Sequence, residues 1–483
     1  MSTTHLNNPT SRLRFGLGRK DITPPVGIYH RLWGAARHDR ATGVHRHLTC
    51  EVMTFGGLDD APGKAPSYVR AVLDLPGLVA SQHNALVDIL AEVTGAIPDH
   101  IAISFSHTHA SGWFVPDRFN LPGGELIPGY LAELNESVRK AAEAAMASRQ
   151  EASISYATGH SNMAGNRDYW DTERELYACG FNPDAPADDT VMVARVSDTD
   201  GKTIAVIVNY GCHPTTLAWD NSLISPDYAG ALRETVEQAT GATCVFLLGA
   251  CGDLGPREGF VGDTAVADRN GRQVAYAALS ALESMDAPLM DFEYAGPVVS
   301  GATLGTWAPT PQSDERLAAA KLIEGSRFHV ELPVRERPNL AELEQDLAEW
   351  NAKADAANAA GDVVGERNAR AYAERARRWI ARLDDLPEDE TFSVQFSVHR
   401  LGDAFWITCG GEPYNILQTE LRRRFPDTPI MLSPVSGDLQ IAYLLPEDRY
   451  GKGLYQEEPS ILGQGCLEGL IEAIDECVEE LAR

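Results

Sequence analysis

The sequence predicts an α/β protein: central mixed β-sheet layers flanked by helices, with an inserted helical hairpin. Three observations lead there. Short apolar runs with β-branched residues, such as Ile204–Val208 and Val245–Leu248, alternate with stretches of helical spacing up to about residue 310. Four of those runs end in polar clusters. From about 313 to 385 the chain turns to Ala, Glu and Arg and loses the strand pattern.

Taken in order, residues 1–12 carry no apolar run and read as a disordered tail. From Phe15 the chain gives Gly16-Leu17-Gly18-Arg19-Lys20-Asp21-Ile22-Thr23-Pro24-Pro25, a strand closed by a proline-fixed turn. Ala71–Leu75 and Ile101–Phe105 are strands of buried type, and Ile127–Ala147 has helical spacing. Thr203–Asn209, Cys244–Leu248 and Ala404–Thr408 are further strands. Leu340, Leu343, Leu347 and Trp350 recur at helical spacing, as do Tyr372, Ala376, Trp379 and Leu383. Ala359-Ala360-Gly361-Asp362 makes the turn between them. A helical hairpin over 313–385 follows, read as a packed surface element, with a lid or an oligomer arm as alternatives. The last helix runs from about Ile461 to Leu481. No internal repeat or linker divides 13–483, which reads as a single domain.

Charge narrows the function. The 483 residues include 69 acidic and 41 basic ones, a net charge of −28. Neutralising phosphates needs Lys and Arg in excess, so nucleic acid is excluded as a partner of a broad face, and anionic membranes are disfavoured. No run reaches the ~18 apolar residues of a membrane span. The N-terminus lacks the basic and apolar regions of a secretory signal. Eight cysteines without a C-x-x-C pair read as reduced core thiols. These features together predict a cytoplasmic protein and leave a homo-oligomer open.

The chemistry lies in the strand ends. Ile101–Phe105 runs into Ser106-His107-Thr108-His109, and Thr203–Asn209 into Tyr210-Gly211-Cys212-His213-Pro214. Cys244–Leu248 runs into Gly249-Ala250-Cys251-Gly252-Asp253, and Ala404–Thr408 into Cys409-Gly410-Gly411-Glu412-Pro413. In α/β sheets ligands bind at the carboxyl ends of strands. His107 and His109, two apart, face one side of an extended segment. Catalytic zinc takes three protein ligands from His and carboxylate and keeps one position open. Singly, each residue also has a structural reading: loop histidines, or an acid favoured by a helix N-terminus for Glu412. A cysteine hydrolase on Cys212 or Cys251 with His213 is a weaker alternative, because sequence neighbours rarely orient as nucleophile and base.

Gly16-x-Gly18-x-x-Asp21-Ile22-Thr23, Ser106–His109, Asn166-Arg167, Cys212–Thr215, Gly252-Asp253, Gly411-Glu412 and the tyrosine-rich Tyr443–Tyr455 occur in a fixed order. That order resembles the catalytic domain of neutral/alkaline (non-lysosomal) ceramidases over roughly 14–465. The resemblance implies a zinc amidase with one Zn2+ per chain, cleaving a small-molecule linear amide with a metal-activated water. By motif position it implies His107, His213, Glu412 and Tyr443 as metal ligands. It places His109, Arg167 and Tyr455 around the scissile amide. His109 would relay a proton, and Arg167 and Tyr455 would donate to the oxyanion. Departures from the family pattern cluster on the substrate side. Gly255 replaces a serine, and Trp113 and Phe114 follow the H-x-H motif. Trp113, Phe114, Asp253, Gly255 and Arg257 are therefore expected to contact the substrate. The family's C-terminal β-sandwich domain is not expected within these 483 residues. A substrate smaller or more polar than ceramide is expected, with Arg257 and Arg167 receiving a carboxylate. A zinc esterase or lactonase and a non-catalytic ligand-binding relative are the alternatives. Mn or Fe also suits such ligands.

Overall fold

The computed structural model describes residues 3–61, 63–383, 386 and 389–483. Two β-sheets stack face to face, and helices cover both outer faces, giving four layers. The larger sheet has eight strands. Their order is Thr243–Leu248, Thr203–Tyr210, Thr190–Ser197, Gln150–His160, Thr10–Asp21, Thr49–Gly56, Tyr68–Leu73 and Ile101–Phe105. The pair at each edge is parallel, and the middle is antiparallel. The smaller sheet orders Ile323–Pro333, Thr391–Leu401, Ala404–Cys409 and Ile430–Ser433.

Strand patterning explains the layers. Cys244, Phe246 and Leu248 pack under the outer helices, while Val245 and Leu247 meet Trp406 and Met431 of the second sheet. Successive side chains point to opposite faces. Both faces are covered, so such strands are apolar throughout rather than alternating.

On the outer face of the larger sheet, helix Ile127–Ala147 buries Tyr130, Leu134, Val138, Ala141 and Ala145 as one stripe. Its alanines let it lie close to strand Thr10–Asp21. A Cβ on Gly18 would stand 2.0 Å from the Ala141 carbonyl, so only glycine fits there. The far face of the smaller sheet is sealed by Ile416–Arg424 and Cys466–Ala482, the latter through Leu467, Leu470, Ile474 and Val478.

Two expectations need correction. Residues 3–12 are not a disordered tail. His5–Leu6 pairs with Phe292 and Glu293, and Thr10 opens a central strand. Polar contacts hold this segment, among them Asn8 Nδ2 donating to Asp286 at 2.8 Å, so it needs no apolar run. The insertion is also shorter than 313–385. Its helices are Leu340–Ala360 and Val363–Leu383, while Ile323–Pro333 is an edge strand of the second sheet. Charged residues on that half-covered strand hide its pattern. Positions 384 and 385 lie outside the described residues.

The second hairpin helix faces the body through Ala369, Ala373, Glu374, Ala376 and Trp379. Glu374 is buried between two arginines. It accepts from Arg118 at 3.2 and 2.7 Å and from Arg378 Nε at 2.8 Å. Burial pushes its pKa up, but Arg378 and Arg118 outweigh that and hold it below the usual carboxylate value. With the folded pKa depressed, its contribution is present above the ordinary carboxylate range and is lost as pH falls through the folded pKa. Glu374→Ala is expected to cost about 3–5 kcal/mol, because it strands buried cations. Hydrogen exchange over Val363–Leu383 checks this; unchanged protection would show that these ion pairs hold nothing.

Candidate metal centre

Strand ends from both sheets meet at one place. His107 and His109 follow Ile101–Phe105, His213 follows Thr203–Tyr210, and Glu412 follows Ala404–Cys409. The first two strands lie on opposite flanks of the larger sheet. A twist of about 20–25° per strand rolls such a sheet so that its flanks approach. The join is direct: His109 N donates to Pro214 O at 3.5 Å, and Ser225 N to Ala110 O at 2.9 Å.

The three imidazole rings stand 4.8 to 5.2 Å apart, centroid to centroid. One carboxylate spans two of them. Glu412 Oε1 lies 3.4 Å from His107 Nε2, and its Oε2 lies 3.4 Å from His213 Nε2. The other ring nitrogens are occupied. His107 Nδ1 donates to Pro76 O at 2.5 Å and His213 Nδ1 to Cys251 O at 3.3 Å. A carbonyl only accepts, so each Nδ1 carries a proton, and the Nε2 of neutral His213 presents a lone pair. Nε2 of His109 and His213 and Oε2 of Glu412 are buried without a hydrogen-bond partner.

Buried acceptors are rarely left unpaired, and a cation among them resolves the conflict. Imidazole nitrogens with a carboxylate are a donor set that suits zinc. Protonation matches as well. Burial, reinforced by Arg167, holds His213 well below the ordinary imidazole pKa. Burial and neighbouring His107 do the same for His109. Burial raises Glu412, but His107 and Arg167 outweigh it and keep its pKa below the ordinary value. The centre thus holds two neutral imidazoles and an anion, as ligation requires. His107 takes a left-handed backbone, φ 61°, which costs a non-glycine residue about 1–3 kcal/mol and fixes its ring on the centre.

Parallel pairing sets Tyr443 beside Glu412. Tyr443 is buried, 6.2 Å from the His213 ring, and Arg167 lies over it at 5.3 Å. Arg167 is buried too and donates through Nε and Nη2 to Gly252 O at 3.1 and 2.7 Å. It forms no ion pair among the described residues. Gly252 lets this loop touch Glu412: a Cβ there would stand 2.4 Å from the Glu412 carbonyl.

All four expected ligands and two expected catalytic residues therefore converge. Tyr455 reaches the rim, 49% exposed, with its ring 5.9 Å from Tyr443. Trp113 is half-buried below the Arg378 guanidinium. Gly255 is buried next to Arg167. Three expected substrate contacts are placed otherwise. Phe114 is 3% exposed and packs on Tyr130 in the core, because the chain turns inward after Trp113. Asp253 is a buried acceptor for Asn415 N at 2.6 Å and for the Asn415 amide, so it positions loops. Arg257 is exposed over the Phe181 ring.

An aromatic wall was not foreseen. Trp33 lies 5.2 Å from the His109 ring and meets Trp219 and Phe260 edge-on. These residues come from three distant loops and share no motif, so no sequence signal links them. The hairpin fastens this rim: Arg378 donates to Leu32 O, Trp379 Nε1 to Glu458 at 3.0 Å, and Arg382 to Pro459 O. Burial pushes the Cys212 and Cys251 thiols up, so neither supplies a thiolate nucleophile.

Comparison with known proteins agrees with this arrangement. The sequence profile described as neutral/alkaline non-lysosomal ceramidase, N-terminal, matches residues 13–262. A neutral ceramidase of Pseudomonas aeruginosa is 23% identical over 256 residues, which are 50% of this chain and 37% of the relative. The match thus spans little more than a third of that protein. The crystal structure of neutral ceramidase from Pseudomonas aeruginosa superposes with a TM-score of 0.63 at 15% identity, covering 97% of this chain and 73% of its own. A ceramidase complexed with C2 gives a TM-score of 0.63 at 15% identity, over 96% and 74%. By its profile match over half its length, the chain belongs to the neutral/alkaline non-lysosomal ceramidase family.

Proposed function

We propose that this protein is a zinc-dependent hydrolase of linear amides. The carrying observation is the unpaired, buried Nε2 of His213 facing Oε2 of Glu412, with His107 on the other carboxylate oxygen. His107, His213, Glu412 and Tyr443 would hold the metal. When bound, it supplies Lewis-acid polarisation of a carbonyl and a water of pKa ~7.

The chain's own residues do the rest. His109, neutral and beside the centre, accepts a proton from the attacking water and passes it to the leaving amine. Arg167 stays cationic and, with the Tyr455 hydroxyl, offers donors to the oxygen that gains charge. The wall of Trp33, Trp219 and Phe260 keeps water from one side of the amide and suits an apolar acyl chain.

Metal analysis of purified protein, with turnover of matched N-acyl amides and esters, tests the reading. Near one zinc per chain and cleavage of the amide are expected. Cleavage of esters alone would make it an esterase. No metal after zinc addition would leave a ligand-binding protein.

Gly255 offers a finer test. A Cβ there would stand 3.7 Å from Arg167 Cδ and 3.8 Å from Thr215 Oγ1, ordinary contact distances. Gly255→Ser is therefore expected to change stability by no more than about 0.5 kcal/mol. It adds a hydroxyl next to Arg167, and kcat/KM for an N-acyl amide should shift by about fivefold or more. Unaltered kinetics would remove Gly255 from the substrate wall.

A further inference from the structure

We propose that the helical hairpin builds an anion-binding subsite at the mouth of the metal centre, where Arg378 and Arg382 receive a carboxylate carried by the amide substrate. The inference rests on the hydrolase reading above and names its substrate class.

Arg378 and Arg382 stand one turn apart on Val363–Leu383, on the face turned to the site. The Arg378 guanidinium lies 5.7 Å from the Trp113 ring centroid and donates to Leu32 O, next to the Trp33 that packs on His109. Arg382 lies 5.7 Å from the Trp379 ring centroid and donates to Pro459 O, on the segment that begins with Tyr455. Both arginines therefore border the rim that surrounds the scissile bond.

Charge here is out of balance. Glu374 is shared by Arg378 and Arg118. Glu458 is taken by Arg375 at 2.5 Å and by the Trp379 indole. Arg382 forms no ion pair among the described residues. Among the described residues, four guanidinium groups thus share three carboxylates, Asp117, Glu374 and Glu458, in a chain of net charge −28. Half-buried like charges repel unless an anion joins them. Burial and the charge of Arg378 pull the Arg382 pKa down, as that repulsion requires. A guanidinium fork matches a carboxylate in a bidentate way that an ammonium does not. An N-acyl amide bearing a carboxylate near the scissile bond fits: its acyl chain lies on Trp33 and Trp113, and its carboxylate on the hairpin.

The test compares N-dodecanoylglycine with its neutral isostere N-dodecanoylglycinamide, on zinc-loaded wild type and on Arg382→Gln and Arg382→Lys. Arg382 is chosen because it pairs with no carboxylate among the described residues, whereas Arg378 also holds Glu374. The expected result is a preference for the acid of about tenfold or more in kcat/KM, carried by KM. It should collapse in R382Q and persist in part in R382K. Equal turnover of both compounds by wild type, or equal losses on both in R382Q, overturns the subsite and leaves the hydrolase reading standing. If neither amide is cleaved, calorimetric titration with the same compounds decides. Tighter binding of the acid that depends on Arg382 upholds the subsite while the hydrolase reading falls. Binding without preference, or none, removes both.

Discussion

His213→Ala is expected to bring the zinc content of the purified protein from near one equivalent to background, and to lower kcat/KM by on the order of 10³- to 10⁴-fold. The side chain is fully buried, and its Nδ1 is committed to Cys251 O, so its orientation is fixed before any metal arrives. Removing it takes away the imidazole nitrogen that faces Glu412 Oε2 at 3.4 Å. His109→Ala makes the contrast. It should keep the metal yet lose about 10²- to 10⁴-fold in turnover, because its proposed task is proton transfer. Elemental analysis of both variants decides. If His109→Ala loses the metal as fully as His213→Ala, His109 is a ligand and the assignment of Tyr443 falls.

Arg167→Met should lower kcat by about 10²- to 10³-fold with metal content unchanged. Its guanidinium is held by the Gly252 carbonyl on one side and by the Tyr443 ring on the other. Glu412 acts on it only through space, with no ion pair among the described residues, which leaves its donors available to an oxygen that becomes negative. Methionine fills similar volume without a donor, so packing changes little. Steady-state kinetics at saturating zinc would check this. A variant with normal kcat would show that Arg167 only supports the Gly252 loop.

Much of this was legible in the sequence, for identifiable reasons. The strands before His107, His213 and Glu412 are buried on both faces, so they read as apolar runs that stop abruptly. Ligands placed straight after such runs inherit their positions from the sheet. Phe114 and Asp253 misled because type and proximity say nothing of direction: one turns into the core, the other into a loop junction. Residues 3–12 were misread because polar hydrogen bonds, not apolar contacts, order them. Trp33 and Arg378 stayed hidden because their relevance depends on contacts between segments hundreds of residues apart.

The hairpin's attachment has a thermal consequence. Its first helix buries only Ala354 among the described residues, and the second is fastened by a narrow stripe of alanines and Trp379 together with ion pairs and carbonyl contacts. A unit held in that way opens at lower free energy than double-covered strands. Amide hydrogens of Leu340–Ala360 should exchange with solvent well before those of Thr203–Tyr210. On heating, the hairpin would release the segments that carry Trp33 and Tyr455 while both sheets stay folded. Heat inactivation and global melting are then separate events, and the lifetime of activity is set by how firmly the hairpin is fastened.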